Sequence, residues 1–355
     1  MATQVAPDAR PVRLAIIGCG AMSELGHLPA LQATKELVPT ILIDPDEARA
    51  KALASKFAVP HYSTSQADAA KYAEAACVVV PHHVHTSVTC DLISDGLHIL
   101  IEKPLAVTLP LCDPIIEAAA KKNVILAVAM VRRFARTTIF LKQLLSQNSF
   151  GPARSFKLVS GTSGTWPAKS AYLLNVEQSG GGVLMSNGVH DIDLLSCLFG
   201  QPTELEFFAD ADYGKARRLE SDILIKMKTA SGVPGTVELS RTRDLKNGLW
   251  IELEGASIFS PLFGDELMIT LAGSGPIRLA GHLSDDRAPG LKTQTFNDML
   301  TDQLDDFAAA VRGEKAPMVS GLEGRKAIET ITYCYNNVKP LDLPWRQPVT
   351  VAEAV

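Results

Sequence analysis

The turn from Gly18 to Ser23 (Gly-Cys-Gly-Ala-Met-Ser) has the residue types that a phosphate-binding loop needs. A glycine at 18 permits a tight turn, and a glycine at 20 lets the backbone approach a pyrophosphate. Ser23 takes the third position of the G-x-G-x-x-G/A fingerprint, where a small side chain allows close helix–strand packing. Free N–H groups at the helix start, here those of Ala21 and Met22, together with the helix dipole favour an anion. The spacing therefore predicts a dinucleotide site.

Asp44 stands 24 residues after Gly20, at the end of the next apolar run. A carboxylate there can accept hydrogen bonds from both ribose hydroxyls of an adenosine, and it would repel the 2′-phosphate of NADP. An Asp-Pro pair before a helix is also good capping chemistry, so a structural role is the alternative. Taken together with the turn, Asp44 favours NAD over NADP.

Lys103 and His190 have side chains suited to moving a proton and stabilising charge. A neutral imidazole can take a hydroxyl proton, and a nearby ammonium can stabilise the alkoxide that forms. Lys103 follows an apolar run in Glu102-Lys103-Pro104, and ligands of open parallel sheets bind outside the carboxyl ends of the strands. The alternatives are a surface Lys–Glu pair for Lys103 and a structural histidine at a helix start for His190.

These residues must be positioned by a sheet, because short apolar runs alternate with helix-like segments over the first third of the chain. The runs are continuous, as expected for strands covered on both faces. Such alternation indicates βαβ units and predicts an α/β, Rossmann-like domain with a parallel sheet at residues 1–135. The runs are Arg13–Ile17, Val38–Ile43, Ala76–Val80, His98–Ile101 and Val124–Met130, and the helical segments are Met22–Thr34, Asp46–Phe57, Val84–Asp95 and Leu109–Lys122.

The pattern changes after Arg136. A helix-like stretch and a Gly/Ser/Thr-rich region precede segments in which apolar residues alternate with more polar ones, and two helical segments, 297–312 and 322–337, close the chain. The alternating apolar residues are Ile223, Ile225, Met227, Leu249, Ile251 and Leu253. Period-two alternation is typical of a sheet with one buried face. Residues 136–355 are therefore predicted to form an α+β domain with an open, mostly antiparallel or mixed sheet, which would shape the substrate site.

The composition excludes several classes of partner. The net charge of −5 and the 46% of hydrophobic residues argue against disorder and against a nucleic-acid binder. The longest apolar run, 124–131, is far shorter than the about 18 residues of a membrane helix. The first ten residues lack the apolar core of a signal peptide, so we expect a cytoplasmic protein with no membrane partner. Six cysteines without a C-x-x-C pair predict reduced thiols.

Several motifs together resemble the Gfo/Idh/MocA family, which is named for glucose–fructose oxidoreductase, inositol dehydrogenase and a rhizopine-catabolism protein. They are Glu-Lys-Pro after a Rossmann strand, the triple glycine 180–182, and G-x-H-x-x-D at 188–193. Pro-His-His-Val-His at 81–85 is similar to the family's P-N-x-x-H, Arg-Arg-Phe at 132–134 to its R-R-F, and residues 303–312 to its closing helix. The resemblance covers nearly the whole chain.

The resemblance implies an NAD(P)-dependent dehydrogenase or reductase acting on CH–OH groups. Lys103 is similar in position to the family's catalytic lysine, and His190 to its general base or acid. The peptide bond between Lys103 and Pro104 is often cis in this family. Oxidation of a secondary alcohol removes a proton and a hydride, and the nicotinamide accepts the hydride. Further residues expected beside the cofactor are Pro81, His82, His85 and Glu102, with Lys103 between cofactor and substrate.

Ser186 departs from the family pattern, because the family has Asp four residues before the histidine. A carboxylate there can orient the imidazole and raise its pKa, whereas serine forms hydrogen bonds without a charge. Either Ser186 joins the catalytic group as a neutral partner of His190, or the chemistry is weakened or altered. Asn187 and Asp191 are nearby polar substitutes for the orienting role, and Asp193 is expected to be structural.

Three histidines, His82, His83 and His85, suggest a zinc site, but zinc needs three or four convergent ligands, and alternating histidines on a turn need not converge. We therefore predict no metal. His82 is expected to line the nicotinamide side, and His85 to pack against or cap the following helix.

Substrate contacts are the least specific part of the prediction. Trp166 and Tyr172, with Lys169 and Asn175, suit stacking on and hydrogen bonding to a sugar or cyclitol ring, although loop anchoring is an equal alternative. Arg132 and Arg133 either reach an anionic substituent or tie the two domains together, which we favour. The predicted substrate contacts are Lys103, Arg132, Trp166, Tyr172, Asn187 and His190.

These features predict an NAD-dependent oxidoreductase that acts on a secondary alcohol or ketone of a sugar, sugar derivative or cyclitol. Two alternatives remain open. One is glycoside cleavage through transient oxidation by tightly held NAD, and the other is an NAD-binding regulator without catalysis. The resemblance also implies that residues 136–355 bind the substrate and form the oligomer contact, and that the protein is a homodimer or homotetramer.

Overall fold

The computed structural model describes residues 10–163, 171–210, 219–262, 266–279 and 294–342, which form two sheets with helices packed against them. The α/β and α+β organisation predicted from the sequence is confirmed. All six cysteines are free, and four of them are buried. Within the described ranges, no helix is long and apolar enough to cross a membrane.

The first sheet is parallel and has six strands in the order β3-β2-β1-β4-β5-β6. The strands are β1 (Val12–Ile17), β2 (Leu37–Ile43), β3 (His61–Ser63), β4 (Ala75–Val78), β5 (His98–Glu102) and β6 (Leu126–Ala129). The helices between them are α1 (Leu28–Ala33), α2 (Glu47–Phe57), α3 (Ala69–Tyr72), α4 (His85–Ser94) and α5 (Asp113–Lys122). A π-helical turn, Ser23–His27, leads into α1.

The apolar runs are continuous because the sheet is covered on both faces. In β1, Ala15 and Ile17 lie in one hydrophobic core, and Leu14 and Ile16 lie in the other. All four side chains are essentially inaccessible to solvent. Successive residues of a strand point to opposite faces, so each face of β1 needs its own apolar set.

The second sheet has nine strands in the order β14-β13-β12-β11-β7-β10-β9-β8-β15. It is mixed, since β7 pairs with β10 and β8 with β15 in parallel, whereas the other neighbours are antiparallel. The strands are β7 (Ala153–Gly161), β8 (Pro202–Ala209), β9 (Asp222–Thr229), β10 (Pro234–Ser240), β11 (Gly248–Leu253), β12 (Ala256–Ser260), β13 (Leu267–Leu271), β14 (Pro276–Leu279) and β15 (Val338–Pro340).

Among the described residues, five α-helices accompany the second sheet. They are α6 (Arg136–Ser146), α7 (Val176–Ser179), α8 (Val189–Phe199), α9 (Phe296–Val311) and α10 (Gly321–Asn336). A π-helical turn, Leu184–Gly188, leads directly into α8. The alternating apolar residues of β9 and β11 are buried, as predicted.

Helix α9 returns to the first domain. Its Leu300, Leu304 and Phe307 are fully buried in the core that β1 lines with Leu14 and Ile16. The segment after α9 also adds to the edge of β6, where Val128 N–H donates to the carbonyl of residue 319 at 2.9 Å. The domain boundary between residues 135 and 136 stays a prediction. Helix α9 and the segment after it follow the second sheet in the chain, yet they pack against the first domain.

Candidate active site

The turn after β1 has the shape of an anion-binding loop. Gly18 has φ +97°, and a Cβ there would lie 2.2 Å from the carbonyl oxygen of Val79, so only glycine fits. The buried Ser23 hydroxyl donates to the Gly18 carbonyl at 2.6 Å, which closes the turn on itself. A Cβ on Gly20 would meet no protein atom within 4 Å. The turn thus leaves open space beside the backbone, as a bound pyrophosphate requires.

Asp44 holds the turn from the end of β2. Its buried carboxylate accepts hydrogen bonds from the Cys19 N–H at 2.7 Å and from the Asp46 N–H at 2.9 Å. The alternative role as a helix cap is wrong for Asp44, because Asp46 caps α2 and accepts from the Arg49 N–H at 3.0 Å. Asp44 thus lies directly beside the phosphate turn, and its negative charge suits a ribose with free hydroxyls.

Glu102, at the end of β5, is fixed by a histidine that the sequence did not single out. His27 Nε2 lies 2.8 Å from Glu102 Oε1, and His27 is fully buried. Burial alone would lower the pKa of His27, but Cys77 and Glu102 together raise it to about 10. The carboxylate of Glu102 also accepts from the Lys103 N–H at 3.2 Å, and the Lys103–Pro104 peptide is cis, as the resemblance implied. These contacts set the direction in which Lys103 leaves the strand.

Lys103 links the first domain to the second. Its Nζ donates to the carbonyl oxygen of Ser186 at 2.8 Å, in the turn that leads into α8. Burial lowers the pKa of Lys103, as do the positive charges of Arg132 and Arg241, whereas Glu102 opposes the shift. The side chain stays partly exposed.

His190, in the first turn of α8, has a ring nitrogen without a partner. Its Nδ1 is buried and forms no hydrogen bond with the described part of the chain, although the residue as a whole is partly exposed. Burial and the charges of Lys103 and Arg132 lower the pKa of His190 well below its ordinary value, so the imidazole is neutral at pH 7. The imidazole is therefore unprotonated and has a lone pair that can accept a proton, while the two neighbouring cations make it a weaker base than a free histidine.

Ser186 is not the partner of His190 that we considered. The buried Ser186 hydroxyl lies 2.9 Å from both the Gly182 carbonyl and Asn187 Oδ1, and it accepts a short hydrogen bond from Arg241 Nη2. The second candidate for orienting His190, the exposed Asn187, therefore contacts Ser186. The third, Asp191, forms a short ion pair with Arg132 instead. The reason is geometric, since the turn before α8 directs Ser186 towards the second sheet.

Two residues that the sequence did not single out hold the triple glycine. Glu220 is buried and accepts hydrogen bonds from Gly182 N–H at 2.8 Å, Leu184 N–H at 2.9 Å and the Tyr335 hydroxyl at 2.9 Å. A Cβ on Gly182 would lie 2.1 Å from the Glu220 carbonyl oxygen, which explains the glycine there. Arg241, just after β10, is the other residue, and its Nη2 also lies 3.3 Å from the Gly182 carbonyl.

Arg132 and Arg133 tie the domains together, which is the role we favoured. Arg132 forms its ion pair with Asp191, and Arg133 binds Asp193 through two hydrogen bonds of 2.8 and 2.6 Å. Arg133 also reaches Glu323 at 3.0 Å. Asp193 is therefore structural, as expected. The free oxygen of Asp191, Oδ2, is buried and has no partner.

His82 and His85 contact carbonyl and hydroxyl groups. His85 has Nδ1 2.7 Å from the Pro104 carbonyl and Nε2 3.0 Å from the Val80 carbonyl, so it bridges two loops rather than capping α4. His82 lies 3.0 Å from the Ser179 carbonyl and 3.3 Å from the Tyr172 hydroxyl. Burial lowers the pKa of both imidazoles.

The remaining predicted substrate residues are only partly brought to the site. Tyr172 meets His82 there, whereas Asn175 caps α7 by accepting from the Glu177 N–H at 2.9 Å. Trp166 and Lys169 lie outside the described residues.

Comparison with family models gives two matches that together span most of the chain. Residues 12–130 match an oxidoreductase family with an NAD-binding Rossmann fold, and residues 139–257 match the GFO/IDH/MocA C-terminal domain. These ranges contain the phosphate turn, Lys103 and His190.

Curated relatives and solved structures cover nearly the full length. The chain is 23% identical to the Myo-inositol 2-dehydrogenase of Thermotoga maritima over 89% of this chain and 93% of that protein. It is also 23% identical to the scyllo-inositol 2-dehydrogenase (NAD(+)) of Bacillus subtilis, over 96% and 98%. A levoglucosan dehydrogenase in complex with NADH and levoglucosan superimposes with a TM-score of 0.80 at 18% identity, covering 92% of this chain and 97% of that one. The likeness to this levoglucosan dehydrogenase structure shows a shared fold and no more.

Proposed function

The chain belongs to the Gfo/Idh/MocA family of NAD-binding oxidoreductases, and we propose that it interconverts a secondary alcohol and a ketone on a sugar, sugar derivative or cyclitol. The observation that carries the proposal is the hydrogen bond from Lys103 Nζ to the Ser186 carbonyl. It brings the Lys103 ammonium to the turn Leu184–Gly188, which leads into α8 and its first-turn residue His190. Two relatives that match most of the chain are named inositol dehydrogenases, which supports a cyclitol or sugar substrate.

NAD bound at the Gly18–Ser23 turn would supply the hydride acceptor for an alcohol or, when reduced, the donor for a ketone. Within the chain, Gly18 and Gly20 leave the backbone open for the pyrophosphate, and Asp44 would accept hydrogen bonds from the ribose hydroxyls. The residues present therefore fit the cofactor that the family model describes.

His190 is the proton acceptor in the oxidative direction. It is neutral, so it has a lone pair for the substrate hydroxyl proton. In the reductive direction the same imidazole, once protonated, returns the proton to the alkoxide oxygen.

Lys103 stabilises the charge that develops on the substrate oxygen. One of its three N–H donors is used by the Ser186 carbonyl, which leaves two for an alkoxide or a carbonyl oxygen. Its pKa is lowered by burial and by two neighbouring arginines, yet Glu102 partly offsets this.

The test is the appearance of NADH when the purified protein is given NAD and a panel of myo-inositol, scyllo-inositol and simple aldoses. We expect turnover with at least one of them, and a loss on the order of 10²–10⁴-fold in kcat for Lys103→Met and for His190→Asn. Lys71→Met is the matched control, because Lys71 is exposed and pairs with Asp68 at 2.6 Å, away from the site.

Full activity in both variants would contradict the proposed roles. Cleavage of a glycoside without net NADH release would favour the transient-oxidation alternative, and NAD binding with no turnover of any compound would favour a regulator.

A further inference from the structure

Arg241 is a positively charged residue at the site. Among the described residues, the groups that accept hydrogen bonds from its guanidinium are uncharged. It follows β10, and its backbone is anchored by a hydrogen bond from its N–H to the Ser221 carbonyl at 2.8 Å. Its Nη2 donates to the Ser186 hydroxyl and to the Gly182 carbonyl. Both acceptors are uncharged, and the side chain is partly exposed.

The nearby carboxylates of the described chain are engaged elsewhere. The negative charge of Glu220 raises the pKa of Arg241 and so opposes the effect of burial. Glu220 nevertheless forms no ion pair with the guanidinium, because it accepts hydrogen bonds from Gly182, Leu184 and Tyr335. Asp191 is paired with Arg132, and Glu102 with His27. A partly buried guanidinium without a carboxylate partner is costly unless a ligand provides one.

Ser186 joins this charge to the reacting centre. Its hydroxyl accepts a hydrogen bond from Arg241, and its carbonyl oxygen accepts one from Lys103 Nζ. The two cations therefore contact different polar groups of the same residue. A carboxylate side chain at 186 would neutralise Arg241, and this chain has serine there. A carboxylate supplied by a bound ligand would therefore give Arg241 the charged partner that this chain does not place beside it.

We propose that the substrate of this enzyme is an acidic sugar or cyclitol, whose carboxylate is bound by Arg241 while its neighbouring ring hydroxyl lies between Lys103 and His190. This inference rests on the proposed function and specifies its substrate. A guanidinium binds a planar carboxylate through two parallel hydrogen bonds, which is stronger than binding a neutral hydroxyl. Because both cations contact Ser186, a substrate that carries its carboxylate and its reacting carbon on one ring suits the two of them together.

A purely structural role for Arg241 is the competing explanation. The guanidinium does connect β10 to the turn before α8, so its removal is expected to affect stability whatever the substrate is. The two explanations differ in the ratio of kcat/KM for an acid over its neutral parent, which a structural contact does not change.

The experiment compares D-glucuronate with D-glucose, D-galacturonate with D-galactose, and glucose 6-phosphate as a phosphate probe, all with NAD. We expect the uronates to be favoured over their parents by at least about tenfold, and Arg241→Gln to reduce that ratio by a similar factor. Arg243→Gln is the matched control, since this arginine lies two residues further on and is paired with Asp222 at 3.2 Å and Glu238 at 3.0 Å.

Ser186→Asp provides a second route to the same test if Arg241→Gln does not fold. The new carboxylate would pair with Arg241 within the chain, so we expect the preference for uronates to fall by about tenfold or more. Turnover of the neutral sugars alone, or a preference that neither variant changes, would overturn the inference and leave the proposed function intact. Preference for the phosphate over the uronates would overturn the carboxylate assignment. Absence of NADH with every compound, including the inositols, would instead count against the proposed function.

Discussion

The buried ion pair between Arg133 and Asp193 determines how firmly α8 is held against the first domain. The two hydrogen bonds, of 2.8 and 2.6 Å, join side chains that are only 7% and 2% exposed. Removing one partner of a buried pair costs about 3–5 kcal/mol, because the other charge stays buried without compensation. Glu323 also binds Arg133 at 3.0 Å and keeps part of that compensation. We therefore expect Asp193→Asn to lower the free energy of unfolding by about 3 kcal/mol.

Urea unfolding measures this loss, provided that the slope m stays unchanged between the variants. The matched control is Glu323→Gln, which removes the outer partner of the same arginine. Its side chain is 33% exposed, so we expect a loss below about 1 kcal/mol. Because Asp193 lies in the same helix as His190, kcat should fall as well in Asp193→Asn. A stability loss in Asp193→Asn no larger than that in Glu323→Gln would refute the reasoning.

Two further predictions concern the base and the cofactor. The base works when neutral, and the pKa of His190 lies well below 6.5, so kcat/KM should rise with pH through a limb below pH 6.5. It should then stay level until Lys103, whose pKa is lowered by burial and two arginines, loses its proton on the alkaline side. Ser186→Asp should move that limb little, since Ser186 contacts Arg241; a large upward shift would show direct contact with His190. Gly20→Val should weaken NAD binding at least about tenfold in calorimetry without changing Tm, because its Cβ meets no protein atom and fills only the phosphate space. Gly18→Ala should lower Tm, because its Cβ would collide with the Val79 carbonyl, and equal Tm values for both variants would contradict this account.

The parts of the fold that the sequence predicted are those determined by local pattern. The continuous apolar runs of the first domain reflect two separate cores, and the alternating residues of β9 and β11 reflect a sheet with one buried face. The phosphate turn was likewise predictable, because the glycine spacing, the preceding strand and the following helix are contiguous in the chain. Strand β3 was missed, since it has three residues and none is buried.

The parts that the sequence could not predict depend on long-range pairing. Arg241 reaches the site because β10 pairs in parallel with β7 and ends beside the turn before α8, and no motif accompanies it. Glu220 lies just before β9, and only the folded chain shows that it binds the triple glycine. His27 meets Glu102 across 75 residues of sequence. Such residues carry no local signal, because their roles are determined by topology.

The serine at position 186 has a different consequence in the folded chain from the one that its motif suggests. In the motif, loss of a carboxylate four residues before the histidine weakens the base. In the structure, the Ser186 side chain contacts Arg241, and the basicity of His190 depends on burial, Lys103 and Arg132. The absence of a carboxylate at position 186 therefore affects the guanidinium of Arg241, which has no charged partner there, and not the orientation of the His190 imidazole. A change of one side chain can in this way alter which substrate completes the site while the proton acceptor and the lysine keep their positions.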